Sequence, residues 1–147
     1  MNINENDIKR AAEEAFGLGA IDPKSCPPLT LAYIGDAFIE LCVRSYVVMS
    51  GRAPASKLHR ETVSFVNAES QAELLRAMEP ELTDEEKDIC RRGRNAKSNT
   101  RSKNASITDY RKATGLEALA GYLYLEGRAG RFMELFRDAV ENTGMTI

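Results

Sequence analysis

Residues 29–49 read LTLAYIGDAFIELCVRSYVVM, the longest strongly apolar stretch of the 147-residue chain. Apolar side chains surround much of a helix drawn over these residues, which predicts one long helix at the centre of a domain. Asp36, Glu40 and Arg44 interrupt the stretch, and charges in these positions argue against a membrane span. Gly51 then marks the end of the helix.

Helical patterns continue on both sides of this stretch. Further helices are predicted over residues 5–16, roughly 55–66, about 68–78, from the residue after Thr83 to Arg92 before Gly93, from a cap at Thr108 to about 127, and about 129–141. Asn67 is the predicted cap of one helix, and Thr83 with Glu86 forms a capping box at the start of the next. The pattern predicts an all-α fold, a compact single domain (1–147) of six to seven helices.

The cysteines and the N-terminus indicate the compartment. Cys26, Cys42 and Cys90 are odd in number, and no two have metal-ligand spacing. We therefore expect free thiols in a reducing, cytoplasmic setting and no zinc site. The only histidine, His59, is interpreted as a surface or interface residue. The polar N-terminus carries acids early and does not resemble a signal peptide.

A basic run stands out in a chain whose net charge is −2. Residues 94–107 contain almost nothing apolar, which is typical of a functional or disordered segment. Such a run is either a solvated surface or a binding site for a polyanion. Without an aromatic residue, it suits the backbone of duplex RNA better than the bases of single strands. The candidate RNA-binding residues are Arg91, Arg92, Arg94, Asn95, Lys97, Ser98, Arg101, Lys103 and Asn104.

Two acids lie in apolar sequence surroundings. Asp36 is part of AYIGDAFIE, and Glu117 is part of TGLEALAGYLYL. A carboxylate on a mostly buried helix is costly unless it is paired or binds a metal. Each acid is therefore either half of an ion pair with an arginine or a metal ligand.

Three motifs resemble those of a known family. The segment LAYIGDAFIEL (31–41) resembles the signature helix of ribonuclease III enzymes, and EALAGYLYLEG (117–127) resembles their second acidic helix. Between them, RRGRNAKSNTRSKN (91–104) is similar to the signature of the Mini-III branch, whose members are compact catalytic domains without a double-stranded RNA-binding domain. The resemblance covers roughly residues 28–140.

The resemblance implies a metal site. Full-length ribonuclease III enzymes use four acidic positions, of which Asp36 matches the second and Glu117 the fourth; Ala32 and Thr114 occupy the other two. Two carboxylates meet the minimum for Mg²⁺, with Mn²⁺ as a possible substitute. Glu40 follows Asp36 by one helical turn, and either pairs with Arg44 or contacts the metal through water.

The resemblance also implies a function. It predicts a Mg²⁺-dependent endoribonuclease that cuts double-stranded RNA to 5′-phosphate and 3′-hydroxyl ends, matures 23S ribosomal RNA precursor with a possible ribosomal protein helper, and works as a homodimer. Leu31, Phe38 and Tyr46 offer modest support for a dimer, since their helix is apolar on several sides. The alternative is a non-catalytic, ribonuclease III-like module that binds RNA or the ribosome. Such modules usually lose the acids, which this chain retains.

Overall fold

The computed structural model describes residues 7–96 and 106–145. Over these residues the chain forms seven α-helices and no strand, which confirms the all-α prediction. The helices are α1 (Asp7–Phe16), α2 (Pro28–Ser50), α3 (Leu58–Val66), α4 (Ala68–Met78), α5 (Asp84–Asn95), α6 (Ile107–Leu125) and α7 (Ala129–Thr143). Short 3₁₀ turns at Pro23–Ser25, Ala55–Lys57 and Glu79–Glu81 precede α2, α3 and α5. None of the helices in these two ranges has the length and apolar content needed to cross a bilayer.

Helix α6, rather than α2, lies at the centre of the fold. It packs against α2, α4, α5 and α7, and its leucines at 116, 119 and 123 are fully buried. The prediction that α2 is central is wrong. Helix α2 packs on α6 with one face and leaves Tyr33, Leu41 and Val48 exposed, so its apolar residues belong to two surfaces.

The crossing of α2 and α6 depends on two glycines. A Cβ atom on Gly35 would lie 1.7 Å from the carbonyl oxygen of Glu117, and one on Gly121 would lie 1.9 Å from that of Leu31. Each helix thus presents a glycine to the backbone of the other. This close approach brings residue 36 of α2 beside residue 117 of α6.

Helix α5 continues past the predicted stop at Gly93. A Cβ atom there would lie 2.8 Å from Cβ of Ala118 and 3.1 Å from Cα of Gly115. The glycine therefore permits close packing on α6 and does not end the helix, which continues to Asn95. The predicted cap at Thr108 is also wrong, because the hydroxyl of Ser106 accepts the hydrogen bond that caps α6.

The two other predicted caps are confirmed. The Asn67 side chain accepts a hydrogen bond at the start of α4, and Thr83 and Glu86 form the capping box of α5. Glu86 is completely buried, and its carboxylate also accepts hydrogen bonds of 2.9 and 3.0 Å from the guanidinium of Arg131. This capping residue therefore also fixes α5 to α7.

The side chains offered as dimer support are covered within one chain. Leu31 is fully buried, and Phe38 and Tyr46 are partly buried against the core. Ring centroids of Phe38 lie 5.3 Å from Tyr124 and 5.5 Å from Phe132; those of Tyr46 lie 5.7 Å from Phe65 and 6.1 Å from Phe136. That argument for a dimer is therefore wrong, since one small core accounts for all three residues.

Candidate active site

Asp36 and Glu117 line one open cleft of about 860 Å³ along α2 and the N-terminal half of α6. The Asp36 side chain is exposed and that of Glu117 is half-buried. The apolar sequence around Asp36 therefore does not bury it, because it lies on the outward face of α2. The close crossing at Gly35 brings together two acids that are 81 positions apart in the sequence.

The two carboxyl groups interact strongly. The pKa of Glu117 is raised to about 8, first by burial, then by the negative charge of Asp36 and by a hydrogen bond between the two carboxyl groups. In the free protein Glu117 therefore keeps its proton near neutral pH. Two oxygen donors that repel each other without a proton fit a divalent cation, whose charge favours both ionised forms.

The other two family positions bring no charge into the cleft. Ala32 and Thr114 both line it and are nearly buried, and the Thr114 hydroxyl donates to the carbonyl oxygen of Tyr110 at 3.1 Å. Across residues 7–96 and 106–145, no three His, Cys, Asp or Glu side chains converge as a metal cluster. Asp36 and Glu117 are thus the two acids that this cleft pairs closely.

Glu40 lines the same cleft and forms the ion pair considered for it. Its carboxylate lies 2.5 Å from the guanidinium of Arg44, one helical turn further along α2. The charge of Glu40 is therefore balanced within α2. A role for Glu40 toward a metal through water remains compatible with its place in the cleft.

The predicted RNA-binding run is only partly described. Arg91 pairs with Asp88, and the Arg92 guanidinium donates to the carbonyl oxygens of Lys24 and Cys26 at 3.4 and 3.2 Å. Arg92 therefore holds the chain segment before α2. Arg94 and Asn95 form the last turn of α5, with side chains half-buried and exposed. The predicted residues Lys97, Ser98, Arg101, Lys103 and Asn104 lie outside the described residues.

Two tyrosines of the cleft were not predicted. Tyr110, Thr114 and Glu117 follow one another at helical spacing on α6, and all three line the cleft. This spacing is a signal that identifies Tyr110 once Glu117 is known. Tyr33 lies on the opposite wall and is 81% exposed. Its aromatic side chain appears in sequence as one more apolar residue of α2, so no signal separated it from the core.

Comparisons with known proteins agree with this architecture. A family model described as Ribonuclease III domain matches residues 29–128. The Mini-ribonuclease 3 of Symbiobacterium thermophilum is 44% identical over 120 residues, covering 82% of this chain and 92% of that protein. That of Staphylococcus aureus is 47% identical over 115 residues, covering 77% and 86%.

A solved structure shares the backbone fold of this chain. Protein FN1578 from Fusobacterium nucleatum superimposes with a TM-score of 0.71 at 28% identity, and the match covers 81% of this chain and 95% of that one. Sequence, fold and the paired acids therefore lead to one conclusion. The chain belongs to the ribonuclease III family of endoribonucleases, together with the Mini-ribonuclease 3 proteins.

Proposed function

We propose that the chain cleaves double-stranded RNA in the cleft between α2 and α6, with Asp36 and Glu117 as catalytic metal ligands. The observation that carries this proposal is the contact between the two acids in an open cleft of about 860 Å³. A duplex requires a wide, accessible site, and both walls of this one are open to solvent. Cleavage leaves 5′-phosphate and 3′-hydroxyl ends, as the family resemblance implies.

The two carboxylates would hold Mg²⁺, with Mn²⁺ as a substitute. When bound, the cation supplies positive charge to the scissile phosphate and to the attacking water. Glu117 gives up its proton on binding, because burial and Asp36 otherwise hold its pKa at about 8. Two protein ligands leave most of the coordination shell to water and RNA, so we expect weak metal binding before the substrate arrives.

The substrate is proposed to be duplex RNA of the 23S ribosomal RNA precursor, with a ribosomal protein as a possible helper. Support comes from the Mini-III resemblance and from the polar side chains at the end of α5. Arg94 and Asn95 reach solvent in its last turn. These two residues belong to the basic run that continues in sequence through Lys103, and we propose that the run contacts backbone phosphates. Such contacts suit duplex RNA, whose bases are inaccessible in the deep groove.

We further propose a homodimer, and this proposal does not rest on Leu31, Phe38 or Tyr46. Leu29, Tyr33 and Leu41 recur on one face of α2, and all three are exposed. They also line the cleft, so an interface there places two active sites near one two-fold axis. Two such sites can cut the two antiparallel strands of one duplex. Cytoplasmic localisation is proposed because the described Cys26, Cys42 and Cys90 are free, buried thiols.

One experiment tests the proposed activity. The purified protein is incubated with a blunt duplex RNA, with the same RNA as separate strands, and with the matching DNA duplex, each with Mg²⁺ and then with a chelator. We expect cleavage of the RNA duplex alone, and only with Mg²⁺. Binding of the duplex without cutting at any Mg²⁺ or Mn²⁺ concentration would instead support the non-catalytic module.

A further inference from the structure

A second depression, of about 330 Å³, lies between the C-terminal half of α2 and helix α3. Its apolar lining consists of Val47, Val48, Ala55 and Leu58. Three polar side chains complete the wall: Arg44, His59 and Thr62. The proposed chemistry of the Asp36–Glu117 cleft makes no use of His59 or Thr62, so this depression needs its own explanation.

Thr62 is the most informative of these residues. It is only 4% exposed, and within the described chain its hydroxyl has no hydrogen-bond partner. Hydroxyls on helices usually donate to the carbonyl one turn earlier, as Ser45 and Thr114 do here at 2.7 and 3.1 Å. A hydroxyl that lacks this bond, on a buried side chain that lines a depression, is available to a bound group.

The chain segment that leads from α2 into α3 is basic. Residues 51–60 read GRAPASKLHR and contain no acid. The side chains of Arg52, Lys57, His59 and Arg60 are exposed, and among the residues whose structure is given none of them makes an ion pair. Elsewhere many cations are neutralised, as Lys24 is by Glu85 and Arg76 by Asp109. Unpaired cations around an available hydroxyl favour an anion as the ligand.

The depression is a neighbour of the active-site cleft, because Arg44 lines both. Arg44 follows Asp36 by eight residues on α2, which corresponds to about 12 Å along the helix. A duplex in the cleft that extends along α2 toward Ser50 therefore passes over α3. The anion best placed to enter the depression is a phosphate of the same RNA backbone.

We propose that the depression between α2 and α3 binds a backbone phosphate of the duplex RNA, away from the bond that is cut. Thr62 and His59 donate hydrogen bonds to phosphate oxygens, and Lys57, which lies in the chain between the lining residues Ala55 and Leu58, provides positive charge beside them. This contact is separate in sequence from the basic run at 91–104 and lies on a different helix pair. The inference rests on the proposed activity on duplex RNA.

Two substitutions separate the hydrogen bond from the charge. Binding of a labelled RNA duplex is measured with a chelator present, at several salt concentrations. Thr62→Val should weaken binding about three- to tenfold with an unchanged salt slope, because it removes a donor and no charge. Lys57→Gln should weaken binding similarly and reduce the log–log salt slope by about one. Saturating RNA should restore the cleavage rate of both variants.

Arg10→Gln is the matched control. Arg10 is an exposed cation on α1, and its loss changes net charge by the same amount as Lys57→Gln. Near-wild-type binding of this variant, together with weaker binding of Lys57→Gln, supports a local site. Equal effects of Arg10→Gln and Lys57→Gln would indicate a general charge effect and overturn the proposal.

His59 provides a direct readout, since it is the only histidine in the sequence. The Cε1–H resonance of its imidazole should shift on addition of duplex RNA, and much less in Thr62→Val. If wild type binds the duplex but this resonance does not move, the site is wrong while the proposed activity stands. If inorganic phosphate shifts the resonance and duplex RNA neither shifts it nor binds, both proposals fail.

Discussion

The carbonyl oxygen of Glu117 lies 1.7 Å from the point where a Cβ atom on Gly35 would stand. Position 35 therefore admits no side chain while α2 and α6 keep their contact. The same contact places the turns of α2 before and after Gly35 against α6. One glycine thus serves both the stability of the fold and the pairing of Asp36 with Glu117.

Gly35→Ala is expected to destabilise the protein by at least about 3 kcal/mol, at the upper end of the range for overpacked cores, because backbone rather than a movable side chain is in the way. Urea unfolding measures the free-energy change. Gly19→Ala is the control, since an added Cβ there meets nothing within 4 Å. Two variants of equal stability would show that the helices can separate freely at this crossing.

Asp36→Asn and Glu117→Gln should each slow cleavage by roughly a thousandfold or more, if the lost ligand contributes several kcal/mol at about 1.4 kcal/mol per decade. Glu40→Gln is the matched control: it neutralises a carboxylate of the same cleft and should have a much smaller effect. Single-turnover cleavage with saturating RNA and Mg²⁺ measures all three, and circular dichroism checks folding. Near-normal activity of folded Glu117→Gln contradicts the assignment.

Replacing Arg94, Lys97, Arg101 and Lys103 by alanine should weaken duplex RNA binding and flatten its dependence on salt, because fewer counterions are released from the RNA. Much of the cleavage rate should return at saturating RNA, since these residues are proposed to bind substrate. Filter binding across a salt series provides the measurement. An unchanged salt slope would show that this run does not contact the phosphates of the RNA.

Glu86 should make stability depend on acid pH. Burial acts to raise its pKa, but hydrogen bonds from Arg131 and from the Thr83 backbone, with the charges of Arg131 and Arg128, lower it below 4.5. A lowered pKa stabilises the fold fully above the unfolded-state value, and this contribution is lost as the pH falls below it.

Thermal unfolding of wild type and Glu86→Gln, followed from pH 7 to about pH 3, tests this prediction. The difference in thermal stability between wild type and Glu86→Gln should be largest near neutral pH and should decrease in acid. The reason is that protonation of Glu86 removes from wild type the charge that the variant already lacks. A constant gap across the series would mean that Glu86 stabilises the fold without its charge.

The protein should have a solution mass of twice 16.3 kDa in light scattering at micromolar concentration. Tyr33→Glu should shift that mass toward the monomer, because it places a charge on the exposed face of α2. Ile8→Glu, at another exposed apolar residue, should not. A wild-type mass of 16.3 kDa that persists with bound duplex RNA would contradict the dimer.

The sequence predicted the helices because helical periodicity and capping are local properties. It indicated the two acids through their apolar sequence surroundings and through the family motifs that contain them. Gly93 shows where local reasoning failed: a glycine near basic residues reads as a helix end, but here it permits contact with α6. Leu31 and Tyr33 show a second limit. Both are apolar residues of α2, and only the position of α6 decides that the first is buried and the second exposed.

The tight contact of Gly93 with Gly115 and Ala118 has a mechanical consequence. It packs the last turn of α5, which carries Arg94, directly against the part of α6 that carries Glu117, so close contact fixes the position of one helix relative to the other. On the proposed RNA path, the distance between the RNA contact of Arg94 and the cleavage site at Glu117 is then set by the protein framework. That distance is a property of the packed helices and does not depend on the sequence of the RNA.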